Sequence, residues 1–338
     1  MIKVGVIGIG MMGTTHLDIY ARHTGSVATV TAVADLLPDR RSGKSMAAGN
    51  IEGQAQGAFR FSEVQQFDEG MKLITQADVD VVDICLPTPL HLPYAKAALE
   101  AGRHVLVEKP LARTAADAHA LADAAKKANR LAMCGLCMRF WPGWTWLRQA
   151  VQERTYGKLL ALSLRRLASH PGGDFYSDGK LCGGALLDLH VHDTDFVHWA
   201  IGMPAAVTTI GYSSVTSEPD HVMTHYHFPG GPAVLAEGSW AMANGFGFRM
   251  QYTANFERAT AQFDLAGKDL LHLFRDGKDE VVPLQAGMGY QYEIAYFLEC
   301  VRTGTAPTQV TLEHAAKSLE IVEAERRSLL TGQRVSIR

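Results

Sequence analysis

The feature that most constrains this chain is a glycine-spaced hexapeptide, Gly8-Ile9-Gly10-Met11-Met12-Gly13. It sits between residues 2–7, a short run rich in β-branched residues, and residues 11–22, whose apolar positions recur at helical spacing. In a strand–turn–helix context each glycine has a task. The first allows a tight turn, the second lets backbone approach a pyrophosphate, and the third lets helix pack closely on strand. The helix N-terminus then offers unpaired N–H groups to phosphate oxygens. Asp35 follows Gly13 by 22 residues and ends the β-branched run 28–34. An acid at that place hydrogen-bonds ribose hydroxyls and repels a 2′-phosphate. Gly8, Gly10, Met11, Met12, Gly13 and Asp35 are therefore the expected cofactor residues, with NAD as the ligand. Arg40 and Arg41 keep NADP as the lesser alternative.

The rhythm set by this motif continues for about the first 130 residues. Strand-like runs at 2–7, 28–34, 79–85 and 104–107 alternate with helical stretches at 11–22, 39–49, 93–101 and 115–128. Such alternation predicts βαβ units and a parallel sheet covered on both faces. After residue 158 the pattern changes to short strands at 159–167, 206–214, 222–228, 233–240, 248–254 and 259–265, joined by Gly and Pro turns with few helices. That predicts a mostly antiparallel sheet. Helices near 292–302 and 312–330 close the chain. The fold class is α/β, with a dinucleotide-binding domain over 1–130, a second domain over 131–338, and a ligand cleft shared between them.

Composition excludes several function classes. The 32 Lys and Arg against 35 Asp and Glu give a net charge of −3, so no basic excess exists to bind nucleic acid. No apolar run approaches the ~20 residues of a membrane span. Five cysteines in 338 residues do not form a disulfide framework, which points to a reducing compartment. The chain is read as an unprocessed cytoplasmic protein. Cys134 and Cys137 form a C-x-x-C that does not open a thioredoxin-type helix, so both are expected as buried thiols.

Two places could carry chemistry. Glu108-Lys109-Pro110 follows the run 104–107, and ligands of doubly wound sheets bind at the carboxyl ends of strands. Lys109 is then placed for a nicotinamide ring, or is a solvated loop lysine. In Gly183-Gly184-Ala185-Leu186-Leu187-Asp188-Leu189-His190-Val191-His192-Asp193, Asp188 and His192 are four apart and share a face of a continuous helix. A carboxylate beside an imidazole can make a general base; it can equally be a capping acid beside a packed histidine. His190 and His192, two apart, do not face together on a helix, and no metal is expected.

Taken together, these motifs resemble the glucose-fructose oxidoreductase, inositol dehydrogenase and rhizopine catabolism family. The resemblance rests on Gly8 to Gly13, Pro87-Thr88-Pro89-Leu90-His91, Glu108-Lys109-Pro110, Arg139-Phe140-x-Pro142, Gly183-Gly184 with Asp188-x-x-x-His192, and Tyr292-Glu293-x-x-x-Phe297, in that order over nearly the whole chain. It implies an N-terminal Rossmann domain, a C-terminal α/β domain with a large open sheet, and a homodimer or homotetramer built through that sheet. It implies catalytic roles for Lys109, Asp188 and His192, and a cofactor contact for Leu86, Pro87, Thr88, His91, Glu108 and Lys109. The implied activity is NAD-dependent hydride transfer to or from a secondary alcohol of a sugar, an inositol-like polyol or a sugar derivative. NAD-dependent glycosidases and non-catalytic dinucleotide sensors are the alternatives within the family.

For the substrate, Arg139, Trp144 and Tyr176 join Lys109, Asp188 and His192 as expected contacts. Trp144 and Tyr176 are placed in loops, where aromatic faces can stack on sugar C–H groups. Arg165 and Arg166 could bind a carboxylate, but adjacent residues of a strand point to opposite faces, so only one can serve.

Overall fold

The computed structural model describes residues 1–45 and 57–337. Residues Met1–Cys137 and Met288–Ala316 group into one unit, and Met138–Gly287 with Lys317–Arg338 into a second.

Among the described residues the first unit has six strands: β1 (Ile2–Ile7), β2 (Ala28–Ala34), β3 (Gln65–Phe67), β4 (Val81–Ile84), β5 (His104–Glu108) and β6 (Ala132–Gly135). They form one parallel sheet in the order β3-β2-β1-β4-β5-β6. Val4, Val6, Val81, Val82, Val105, Leu106 and Val107 are fully buried, as strands covered on both faces require. The intervening helices are α1 (Met11–His23), α2 (Pro38–Arg41), α3 (Gly70–Gln76), α4 (His91–Glu100) and α5 (Ala115–Ala128). The helix expected over 39–49 is only α2 where it is described, and residues 46–49 lie outside the described residues. The chain order reverses between β1 and β4, so a crevice opens at the carboxyl ends of these strands.

The second unit begins with α6 (Pro142–Glu153) and carries β7 (Leu159–Ser169), followed by four short helices, α7 (Asp174–Ser177), α8 (Gly179–Cys182), α9 (Gly184–Asp188) and α10 (Val191–Ala200). Strands β8 (Ala206–Tyr212), β9 (His221–His227), β10 (Ala233–Met242), β11 (Phe248–Phe256), β12 (Thr260–Asp264), β13 (Leu271–Arg275), β14 (Lys278–Val281) and, near the C-terminus, β15 (Val335–Ser336) complete it. Nine strands run β14-β13-β12-β11-β7-β10-β9-β8-β15, antiparallel except where β10 lies parallel to β7. Along β7 burial alternates: Leu162, Leu164 and Arg166 point inward, while Arg165 is half exposed on the outer face. The expectation of few helices here is corrected by the cluster over 174–200, whose members are too short to leave a helical period in the sequence.

Helices α11 (Gly289–Thr303) and α12 (Leu312–Thr331) complete the set, and α11 packs on α1 within the first unit. Among the described residues no helix is long and apolar enough to cross a membrane.

Candidate active site

In the first unit the glycine loop, Asp35, the 86–91 loop and the Glu108–Pro110 turn all lie at the carboxyl edge of one parallel sheet, after β1, β2, β4 and β5. Gly8 adopts φ +90°, and a Cβ there would meet the Cys85 carbonyl oxygen at 2.6 Å. A Cβ on Gly13 would fall 1.9 Å from the Gly8 carbonyl oxygen. Gly10 differs: the nearest atom to its missing Cβ is Arg40 Nη1 at 4.0 Å, so one face of the loop is open. Helix α1 has no side-chain cap at Gly10 and no acid in its first turn, which leaves its positive end for an anion. Space and charge there fit a pyrophosphate.

The Asp35 carboxylate is tied to this loop. Its Oδ2 accepts the Ile9 N–H at 2.7 Å and its Oδ1 accepts the Leu37 N–H at 2.9 Å. Arg40 Nη1 stands 3.8 Å from Oδ2, and Arg41 donates to the Asp35 carbonyl. Of the two arginines that could favour a 2′-phosphate, Arg40 is thus drawn to the acid that disfavours it and Arg41 to the backbone of the same residue.

Leu86 and Pro87 retain solvent access, whereas Thr88, His91 and Glu108 are buried beneath the edge. His91 links two loops: Nδ1 is 2.8 Å from the Pro110 carbonyl and Nε2 is 2.7 Å from that of Leu86. Burial lowers its pKa despite the two carbonyls. Glu108 Oε2 accepts the Lys109 backbone N–H at 3.1 Å. Lys109 itself is half-buried.

In the second unit Asp188 ends α9 and His192 lies in the first turn of α10. The single continuous helix expected for the pair is corrected: the chain turns at Leu189 and His190 between two short helices. Gly183 and Gly184, at φ +83° and +72°, make the turn into α9, and a Cβ on Gly184 would meet the Pro219 carbonyl at 2.5 Å. Helix α10 is lashed down by buried polar ties. Asp193 receives Arg166 through Nε and Nη2, both at 2.9 Å. Thr194 meets Tyr226 Oη at 2.9 Å and Glu325. Asp195 receives Arg139 at 2.9 and 2.7 Å and Ser318 Oγ at 2.8 Å. Every residue of α10 is buried except His192.

Three substrate expectations change. Trp144 is not in a loop: Pro142 occupies the first turn of α6, where its missing N–H costs nothing. Its ring is fully buried, edge-on to Phe196 and Tyr252 at 4.7 and 5.4 Å, and so fills the core. Arg139 is 1% exposed and committed to Asp195. Tyr176 lies on α7 and packs edge-on to Trp240 at 5.9 Å, half-buried. Arg166 is the inward arginine, paired with Asp193, and Arg165 pairs with Glu237 outside. His190 is buried against Tyr226 Oη at 3.2 Å, and Cys134 and Cys137 are buried.

The sequence motifs do not include His16 and Asp83, and they give Glu293 no role. His16 is fully buried, with Nδ1 2.8 Å from Asp83 Oδ2 and Nε2 3.1 Å from Glu108 Oε1. For His16 the sequence signal is its spacing from Tyr20, four apart on one face of α1.

A parallel sheet in this order, with a glycine loop after β1 and an acid after β2, defines a dinucleotide-binding Rossmann domain, here in one chain with a mostly antiparallel nine-stranded unit. Residues 2–136 match the oxidoreductase family with an NAD-binding Rossmann fold, and residues 144–262 match the GFO/IDH/MocA C-terminal domain. The chain belongs to the GFO/IDH/MocA family, and NAD is its cofactor. It is 30% identical over 224 residues to the levoglucosan dehydrogenase of Pseudarthrobacter phenanthrenivorans, covering 64% of this chain and 56% of that one. It therefore spans little more than half the length of that relative. Inositol 2-dehydrogenase 4 of Saccharopolyspora erythraea is 30% identical over 267 residues, covering 77% of this chain and 73% of that one. A structure of levoglucosan dehydrogenase in complex with NADH and levoglucosan shares the fold, with a TM-score of 0.84 at 21% identity over 99% of both chains.

Proposed function

We propose that this chain is an NAD-dependent oxidoreductase acting on CH–OH groups, with a sugar, an inositol-like polyol or a sugar derivative as substrate. The observation that carries this reading is Lys109, on the turn leaving β5 at the same sheet edge as the glycine loop and Asp35. Relatives named levoglucosan and inositol dehydrogenases support the substrate class.

Gly8, Gly10, Met11, Met12, Gly13 and Asp35 hold the dinucleotide, with Leu86 and Pro87 beside it and Thr88, His91 and Glu108 supporting from below. Bound there, NAD would supply the acceptor for the carbinol hydride, leaving a ketone. The Lys109 ammonium donates hydrogen bonds to the alcohol oxygen and stabilises the charge that develops as the O–H bond breaks. Neutral His192, the residue of α10 left accessible, takes the hydroxyl proton, and Asp188 orients it. In the reverse direction protonated His192 returns the proton to the ketone oxygen. A second copy of the chain, docked on the outer sheet face that exposes Ile210 and Leu235, makes the homo-oligomer of this reading, and five cysteines held as thiols suit a cytoplasmic home.

A panel of inositols, aldoses and anhydrosugars, followed by NADH absorbance, tests the reading. NADH accumulates with a member of the panel, and Lys109→Ala removes most turnover while NAD still binds. Glycoside cleavage without net NADH, or NAD binding with no turnover of any alcohol, would overturn it.

A further inference from the structure

Beneath the Lys109 turn lies a cluster of ionisable groups that take no part in the proposed proton and hydride transfers. His16 on α1, Asp83 on β4, Glu108 on β5 and Glu293 on α11 are all buried. Tyr20 donates to Asp83 Oδ2 at 3.0 Å, and Cys85 Sγ stands 3.5 Å from His16 Nδ1. The nearest ligand-type atoms of His16, Glu108 and Glu293 lie within 4.8 Å of one another. Glu293 is 0% exposed, and neither carboxyl oxygen has a hydrogen-bond partner.

We propose that His16 is a positioning residue for Lys109: with protons on both ring nitrogens it holds Asp83 and Glu108 at once, and Glu108 in turn fixes the Lys109 backbone, with Glu293 sealing the group as a neutral acid. This deepens the reading above and rests on it for the role of Lys109.

Geometry and charge both lead there. Glu108 uses one oxygen for His16, at an ion-pair distance of 3.1 Å, and the other for the Lys109 N–H, also at 3.1 Å. The first is a close charge contact and the second a hydrogen bond; together they confine the buried carboxylate, and the turn that carries Lys109 inherits its position. Gly135 on β6 keeps this room open: a Cβ there would stand 2.9 Å from Glu108 Oε1. The groups facing His16 are Asp83 and Cys85 from the end of β4, Tyr20 from its own helix, Glu108 from β5 and Glu293 from α11. Burial pulls the His16 pKa down, but the Asp83 carboxylate and Cys85 outweigh it and hold the ring well above the usual imidazole range. One imidazolium balances two carboxylates poorly and three not at all. Burial, with Glu108 beside it, accordingly drives the Glu293 pKa well up, and that carboxyl keeps its proton. A protonated ring offers no lone pair to a metal, so the cluster acts as a proton-bearing clamp and not as a metal ligand set.

Two measurements test this. In the protein without cofactor, nitrogen NMR of labelled histidine, assigned with His16→Gln, should show both His16 nitrogens protonated where a free imidazole has lost its proton. Asp83→Asn, which removes the carboxylate that chiefly raises it, should lower that midpoint. In the holoenzyme, Gly135→Ala should push Glu108 off His16 without removing a polar group. It should lower kcat about tenfold or more, while NAD affinity and melting temperature change little. An ordinary His16 titration, a midpoint indifferent to Asp83→Asn, an unchanged kcat in Gly135→Ala, or a stoichiometric divalent metal in the purified protein would each overturn the proposal. Normal turnover by Lys109→Ala would sink the functional reading instead, and the NMR result would still judge the clamp.

Discussion

Ile9 donates its backbone N–H to Asp35 Oδ2 at 2.7 Å, which joins the glycine loop after β1 to the acid after β2. The contact puts a fixed negative charge beside the one open face of the loop, at Gly10. Arg40, 3.8 Å from the same oxygen, partly balances that charge without removing the acceptor.

Asp35→Asn should therefore discriminate between dinucleotides. The amide keeps the size of the side chain but loses the charge-assisted hydrogen bonds to ribose hydroxyls and the repulsion of a 2′-phosphate. Such bonds contribute about 1.5–3 kcal/mol, so NAD affinity should fall about 10- to 100-fold. NADP affinity should hold or rise, with Arg40 released from the carboxylate to meet it. Calorimetric titration of each dinucleotide reads the difference, and parallel losses for both would place the discriminating acid elsewhere.

The glycines of the loop should separate by function. Gly13→Ala drives a methyl to 1.9 Å from the Gly8 carbonyl oxygen, so the loop must deform. A loss of about 3 kcal/mol or more is expected in denaturant unfolding. Gly10→Ala meets nothing closer than 4.0 Å and has φ −84°, which alanine adopts freely. It should fold with a near-normal melting temperature and still bind NAD about tenfold or more weaker, because the methyl occupies the pyrophosphate's approach. Equal stability losses in the two variants would contradict this division.

The parts legible in the sequence were those written in local pattern. Runs 2–7 and 28–34 coincide with β1 and β2, since a strand buried on both faces is a continuous apolar run. Helix α6 escaped because Trp141-Pro142-Gly143 reads as a break, although proline in a first turn starts helices well. Arg139 with Asp195, 56 residues apart, and Glu108 with His16 are long-range pairings that leave no periodic trace. Glu293 reaches the β5 end only because α11 packs back on α1.

The corrected role of Arg139 makes it a stability residue. Its guanidinium meets Asp195 through two bonds in a fully buried pair. Arg139→Met leaves an uncompensated buried carboxylate, and about 3–5 kcal/mol should be lost. Replacing Asp195 by Asn in that background should recover part of it. Burial alone would raise the Asp195 pKa, but Arg139 outweighs burial and holds it below the usual value. Its contribution is thus present above the unfolded pKa of 3.8 and disappears as pH falls through the lower folded value. Urea unfolding from neutral pH to pH 3 should show the gap between wild type and Arg139→Met narrowing at the acid end. A gap that stays constant with pH would assign the loss to packing.

Glu293 should give the opposite slope. Its folded pKa is raised, chiefly by burial, so the folded protein keeps a proton that the unfolded chain releases above about 4.5. While only the folded state holds that proton, stability falls by about 1.4 kcal/mol per pH unit. His16, also raised, adds a decline of the same sign that starts above the unfolded imidazole value of 6.5. Glutamine at 293 is neutral in both states and escapes the first decline while leaving the second. Glu293→Gln should therefore match wild type near pH 4 and exceed it in stability at pH 7, and both proteins should weaken as pH rises further. Guanidinium unfolding at pH 4, 5.5, 7 and 8.5 reads these four points. A variant less stable than wild type at pH 7 would mean that Glu293 is ionised in the fold and held there by a cation.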